Sequence, residues 1–156
     1  MNKFINILDR SALNKILIRL KPSRKPVWGI MNPQQMIEHL IDCVRDTNGK
    51  TFSPFTRNKK EAQAEKELMV YTDMELPRGI KASGIPEIPS PCVYKNLDEA
   101  IAQLNNELDD FEIYFKVDGR TAVHPGYGPM NYDEWVFFHG KHFTHHFKQF
   151  GLLRNS

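Results

Sequence analysis

The sequence predicts an all-α domain. Two observations carry that prediction: four stretches place apolar residues at helical spacing, and Asn32, Asn96 and Asn131 each stand at the head of such a stretch with Gln35, Glu99 or Glu134 three residues later. A side-chain acceptor before an apolar-periodic run, followed by Glu or Gln at the third helical position, marks a helix start, because the two side chains satisfy backbone N–H groups that the first turn leaves unpaired. At 156 residues the chain fits a single domain, residues 1–156, and its 40% hydrophobic content is ordinary for one globular core.

The first helix is expected over residues 9–20, where Leu13, Ile16, Leu17 and Leu20 share a face, Asp9 is available as N-cap and Pro22 is a stop. The second opens at Pro33, a residue suited to the first helical position, and runs to about residue 47. Its stripe is Met36, Ile37, Leu40, Ile41 and Val44, and His39 lies at the edge, about 60° from Met36. Cys43, one turn further along that edge, reads either as small packing or as a competing thiolate ligand. From residue 49 to 93 the periodicity breaks up into a long excursion over the surface. Residues 59–70 can form one short exposed helix there, while 76–91 holds too many prolines for regular structure. Asn96 then caps a third main helix, with Ala100, Ile101, Leu104, Leu108 and Phe111 inward, ending near residue 116.

The last helix, capped by Asn131, carries four of the six histidines within residues 135–150. At about 100° per residue, Trp135, Phe138, His142, His146 and Gln149 fall within roughly 60° of arc, so two aromatics and two histidines a turn apart face inward. Imidazoles four residues apart lie one above the other and can chelate one divalent ion. The alternative is a pair of core histidines satisfied by hydrogen bonds. Burial of two unpartnered imidazoles costs on the order of 1–3 kcal/mol each, which an ion removes. His139 and His145, about 60° either side of His142, are not primary ligands on this geometry and fit a supporting role. In the connection before the helix, His124 precedes Pro125, which biases it to an extended conformation, either as a plain turn residue or projecting toward a site.

Charge and sorting signals narrow the partners. A formal +2 from 21 basic and 19 acidic residues creates no long-range field that selects nucleic acid or an anionic membrane, which leaves a small molecule. No apolar run reaches membrane-span length, and the N-terminus is too short and polar for a signal peptide, so the chain reads as cytoplasmic. Cys43 and Cys92 make no disulfide or zinc-ribbon spacing.

Three segments together resemble the DinB-like (YfiT-like) superfamily of four-helix bundles, in a branch sometimes labelled as oxidoreductases: W-G-I-M-N-P-Q-Q-M-I-E-H-L over residues 28–40, H-P-G-Y-G-P-M-N-Y-D-E-W over 124–135, and H-F-T-H-H-F-K-Q-F-G over 142–151. The resemblance implies an up-down-down-up-like bundle holding a divalent ion, zinc or nickel, on His39, His142 and His146. The run His142-x-x-His145-His146-x-x-Gln149 is similar to the superfamily's H-x-x-H-H-x-x-Q pattern. It also places His124 and Tyr127, with residues 124–130, at the border of the metal pocket, alongside His139, His145 and Gln149. Characterised relatives include thiol-dependent S-transferases and isomerases, so the implied activity is a metal-dependent one in which the ion activates a low-molecular-weight thiol or water. A homodimer is left open. With no acidic residue on the ligand faces, an activated thiol is favoured over general-base hydrolysis. The rivals are a stress-associated or binding protein in which the metal only staples the bundle, and an interaction module without metal.

Overall fold

The computed structural model describes residues 3–79 and 88–155. Asp9 accepts from the Ala12 N–H and opens α1, Arg10–Leu17, which gives way at Ile18 to a turn that still buries Leu20; the helix is thus shorter than residues 9–20. Asn32 and Gln35 form a reciprocal capping box that opens α2, Pro33–Arg45. Asn58 caps α3, Lys59–Val70, inside the excursion over residues 49–93, and this helix is not simply exposed, since Ala62, Met69 and Val70 are buried. The part of the proline-rich stretch at residues 80–87 lies outside the described residues.

Asn96 caps α4, Leu97–Tyr114, by accepting from the Glu99 N–H, but the reciprocal half of the expected capping box is not made. The Glu99 carboxylate accepts from the Lys95 N–H instead, at 3.3 Å. Asn131 and Glu134 make the full box that opens α5, Tyr132–Gln149. α2 packs most extensively along α4, and both contribute to one apolar cluster. In it Met36, Ile37, Leu40 and Val44 meet Ala100, Leu104 and Phe111, with Leu13, Leu17, Trp135, Phe143 and Phe147 closing the sides.

The chain is mostly helical but not all-α. Residues that read as a plain connection form a hairpin, β1 Ala122–His124 and β2 Gly128–Met130, paired antiparallel with Ala122 opposite Met130 and His124 opposite Gly128. Trp135 Nε1 donates to the Ala122 carbonyl at 2.9 Å and fixes the hairpin on the first turn of α5.

α5 is enclosed on more sides than one apolar face. The Gly140 position packs against the backbone of the N-terminal segment, where an added Cβ would sit 2.2 Å from the Ile5 carbonyl oxygen. Thr144 Oγ1 accepts from the Ile5 N–H at 2.8 Å and donates to the Gly140 carbonyl. Lys141 is buried, and desolvation pulls its ammonium down to about 8. Its Nζ donates to the Met69 and Thr72 carbonyls at 2.6 and 3.1 Å, a cation placed at the end of α3 where the helix dipole favours it. Glu107 on α4 is also fully buried, held by Arg45 at 3.0 Å, Lys50, Asn48 and Gln103. Among the described residues no helix is long and apolar enough to cross a membrane.

Candidate metal centre

α2 and α5 bring together the three histidines singled out by spacing and resemblance. His142 Nε2 lies 3.1 Å from His39 Nε2 and 3.0 Å from His146 Nε2, and the three ligand atoms fall within 4.8 Å of one another. Among the described residues no aspartate, glutamate or cysteine offers an atom to this group.

Hydrogen-bond accounting makes the cluster unusual. His146 Nδ1 faces Gln149 Oε1 at 2.7 Å; an amide oxygen only accepts, so Nδ1 carries the hydrogen and Nε2 keeps its lone pair. His142 Nε2 then faces two nitrogens with at most one hydrogen of its own. If it donates to one, the other is left without a bond; if it accepts from His39, it meets the His146 lone pair bare. In the neutral tautomers one of the two close contacts therefore carries no hydrogen bond. Protonation is opposed, since burial holds His39 down to about 4 with His145 adding to it, and His146 down to about 3 with His39 adding to it. His142 lies well below its ordinary value, through burial first and then His146 and His39.

A cation at the centre of the three Nε2 atoms resolves the conflict. Zinc–nitrogen bonds of about 2.0–2.1 Å at tetrahedral angles separate two ligand nitrogens by about 3.3 Å, close to the 3.0 and 3.1 Å of the two pairs that include His142, while the His39–His146 pair falls within 4.8 Å. The all-imidazole donor set suits a divalent transition metal.

The remaining predicted residues divide by what they touch. Gln149 supports His146 and is itself held, because its Nε2 donates to the Trp28 carbonyl at 3.1 Å and its own carbonyl accepts from the Val27 N–H at 2.7 Å. Gly29 is required at that approach: it has φ +80°, and a Cβ there would lie 2.7 Å from Gln149 Nε2. His145 sets its ring perpendicular to His146, with centroids 5.0 Å apart, and edge-on to Trp28. His139 is fully buried and turned to the core, with Nε2 2.9 Å from Thr47 Oγ1. The Thr47 hydroxyl donates to the Val44 carbonyl, so His139 Nε2–H is the donor and its Nδ1 is left without a partner. Burial takes His139 down to about 3.

His124 and Tyr127 stack face to face at 4.0 Å, and both contact Phe138, one turn before His142. The hairpin thus approaches the cluster through the Phe138 ring. His124 Nδ1 accepts from the Gly126 N–H at 2.9 Å, and burial, then Arg57, lowers its imidazole to about 3. Cys43 Sγ is 3.9 Å from His39 Nε2, and burial pushes its thiol up to about 12.

Fold and site thus define a mostly helical domain whose α2 and α5 present three converging imidazole nitrogens. The chain belongs to the family described as "Protein of unknown function (DUF1569)", whose model matches residues 35–151, a span that contains all three histidines. No curated protein and no solved structure matches the chain.

Proposed function

We propose that His39, His142 and His146 hold one divalent ion, zinc or nickel, in an open site at which a small thiol or water is activated. The observation that carries this reading is the pair of Nε2–Nε2 contacts at 3.0 and 3.1 Å, which the neutral imidazoles cannot both satisfy with hydrogen bonds and a cation can. Gln149 contributes by keeping the hydrogen of His146 on Nδ1, so that Nε2 points its lone pair at the centre. Three neutral ligands leave the charge of the ion uncompensated, and such an ion lowers the pKa of a bound thiol or water toward neutrality. The histidine-only donor set, which among the described residues includes no carboxylate that could act as a general base, favours a low-molecular-weight thiol over water.

The DinB-like bundle reading belongs to the same proposal. Its support is the placement of one histidine on α2 and an i, i+4 pair on α5, with α4 packed along α2 and the short α1 adding Leu13 and Leu17 to the core. A second reading has an observation of its own: Cys43 Sγ at 3.9 Å from His39 Nε2 is close enough to become a fourth protein ligand after a side-chain rotation. Structural zinc sites are closed by four protein ligands, and the metal would then only staple α2 to α5.

Metal content of untagged protein tests the ligand set: one ion per chain is expected, with loss in His39→Ala, His142→Ala and His146→Ala. Full occupancy in any double alanine variant would overturn it. Cobalt substitution separates the two readings. A sulfur-to-metal charge-transfer band that grows with added thiol supports the open site. A band present without thiol and abolished by Cys43→Ala establishes the closed one.

A further inference from the structure

Beside His145 lies a polar concavity of about 30 Å³, lined among others by Trp28, Glu75, Arg78, Lys141, His145 and Lys148. Among the described residues its charge is unbalanced. Three cationic side chains face it against one carboxylate, and just outside, Lys3 and Asp73 add one charge of each sign.

The pairing pattern shows where the excess sits. Glu75 binds Lys148 at 2.6 Å and Lys3 at 3.7 Å, so that carboxylate is already shared between two lysines. Arg78 and Lys141 are held by neutral groups instead. The Arg78 guanidinium lies 3.8 Å over the Trp28 ring and donates to Asn155 Oδ1 at 2.8 Å, while Lys141 donates to two backbone carbonyls. Stacking fixes the plane of the guanidinium, and one acceptor uses one of its five N–H groups. Of the two, Arg78 is exposed and Lys141 is buried.

We propose that this concavity binds the carboxylate group of a small organic acid, with Arg78 as the principal donor. About 30 Å³ holds roughly two waters, which matches the two oxygens of a carboxylate; the remainder of the acid extends past Arg78 into solvent. A planar guanidinium offers two parallel N–H bonds to a carboxylate. The site is distinct from the metal centre: its lining includes none of His39, His142 and His146, and His145, which does line it, has its ring 5.0 Å from that of His146.

The test is an acetate titration of metal-stripped protein at constant ionic strength, with chloride as the balancing anion, read by the indole N–H resonance of Trp28. Stripping the metal keeps the outcome independent of the proposed function. Saturable shifts of Trp28 and of the Lys148 and Arg78 backbone amides are expected, with affinity falling about tenfold or more in Arg78→Ala. Arg78 is exposed, so that variant should fold; a thermal melt matching the parent protein checks it. Arg78→Lys, which keeps the charge and loses the fork, should retain only part of the affinity. Non-saturating shifts, equal shifts with chloride, tighter binding of inorganic phosphate than of acetate, or an Arg78→Ala variant that binds acetate as the parent does would each overturn the proposal.

Discussion

Gln149→Leu isolates the support of the metal centre from its ligands. The substitution removes two hydrogen bonds, His146 Nδ1–H to Oε1 at 2.7 Å and Nε2–H to the Trp28 carbonyl at 3.1 Å, and it touches no ligand atom. With Oε1 gone, His146 is free to exchange tautomers and place its hydrogen on Nε2, where it blocks coordination. Loss of such a supporting partner typically costs about 10–100-fold in metal affinity, which is about 1.4–2.8 kcal/mol at room temperature. Stability of the metal-free protein falls too, by about 1–3 kcal/mol, for the two hydrogen bonds of the Gln149 side chain that are lost. Competitive zinc titration against a chelator of known affinity measures the first quantity, and urea unfolding of stripped protein the second. Gln149→Glu keeps the acceptor for His146 Nδ1–H but sets a carboxylate oxygen against the Trp28 carbonyl in place of the amide N–H, so it should bind zinc more tightly than Gln149→Leu while losing stability relative to the parent. Thr47→Val is the control: it breaks the His139 bond at 2.9 Å, away from the ligands, and should lower stability while leaving affinity in place. Parent-like zinc binding in Gln149→Leu would refute the tautomer argument.

Gly140→Ala tests the docking of the N-terminal segment, since intrinsic helix propensity favours alanine by about 0.8–1 kcal/mol, whereas the new Cβ would lie 2.2 Å from the Ile5 carbonyl oxygen. Overpacking costs about 1–3 kcal/mol, so the melting temperature should fall by a few degrees; a rise would show the contact to be absent in solution. Glu107→Leu leaves Arg45 and Lys50 without their shared carboxylate, and because both cations remain partly solvated the loss in urea stability should be about 1–3 kcal/mol; no loss would make the cluster neutral. For pH, burial keeps His124 and His139 at about 3 in the folded chain against about 6.5 unfolded. The unfolded chain therefore binds more protons below pH 6.5, and stability should be flat above that value and fall as pH drops toward 3, by about 1.4 kcal/mol per pH unit for each histidine. A stripped protein equally stable at pH 5 and pH 7 would show these imidazoles to be solvated.

The helices were legible because their signals are local. Asn32 with Gln35 and Asn131 with Glu134 specify their own starts through atoms three residues apart, and both boxes form. The same logic over-reached at Asn96, where the neighbouring Lys95 N–H captures the Glu99 carboxylate. The hairpin was not legible: three-residue strands are too short to show alternation, and Pro129 within the second argues against a strand at all. Pro129 is tolerated because a two-stranded sheet has an outer edge at which no N–H is needed.

The candidate site divides along the same line. His142, His146 and Gln149 are related by one helical turn, and their shared face could be read from position alone. His39 was legible as an inward-leaning histidine able to complete a pair that lacked a third ligand, and the resemblance pointed to the same residue, but its approach to His142 depends on the packing of α2 against α5, which no spacing encodes. A helical wheel also assumes one buried face, whereas α5 is covered by α2, by the end of α3 and by the N-terminal segment together. Lys141 and Lys148 were therefore invisible as buried groups, since the carbonyls of Met69 and Thr72 and the carboxylate of Glu75 that hold them come from some seventy residues away. The Trp28 carbonyl is the same kind of partner for Gln149, reached only because Gly29 lets the backbone close on that side chain. The ligands thus sit where helix geometry puts them, while the groups that set their tautomer and enclose them are fixed by chain crossings. Substitutions at those crossings should change how tightly the centre holds its ion while leaving every ligand intact.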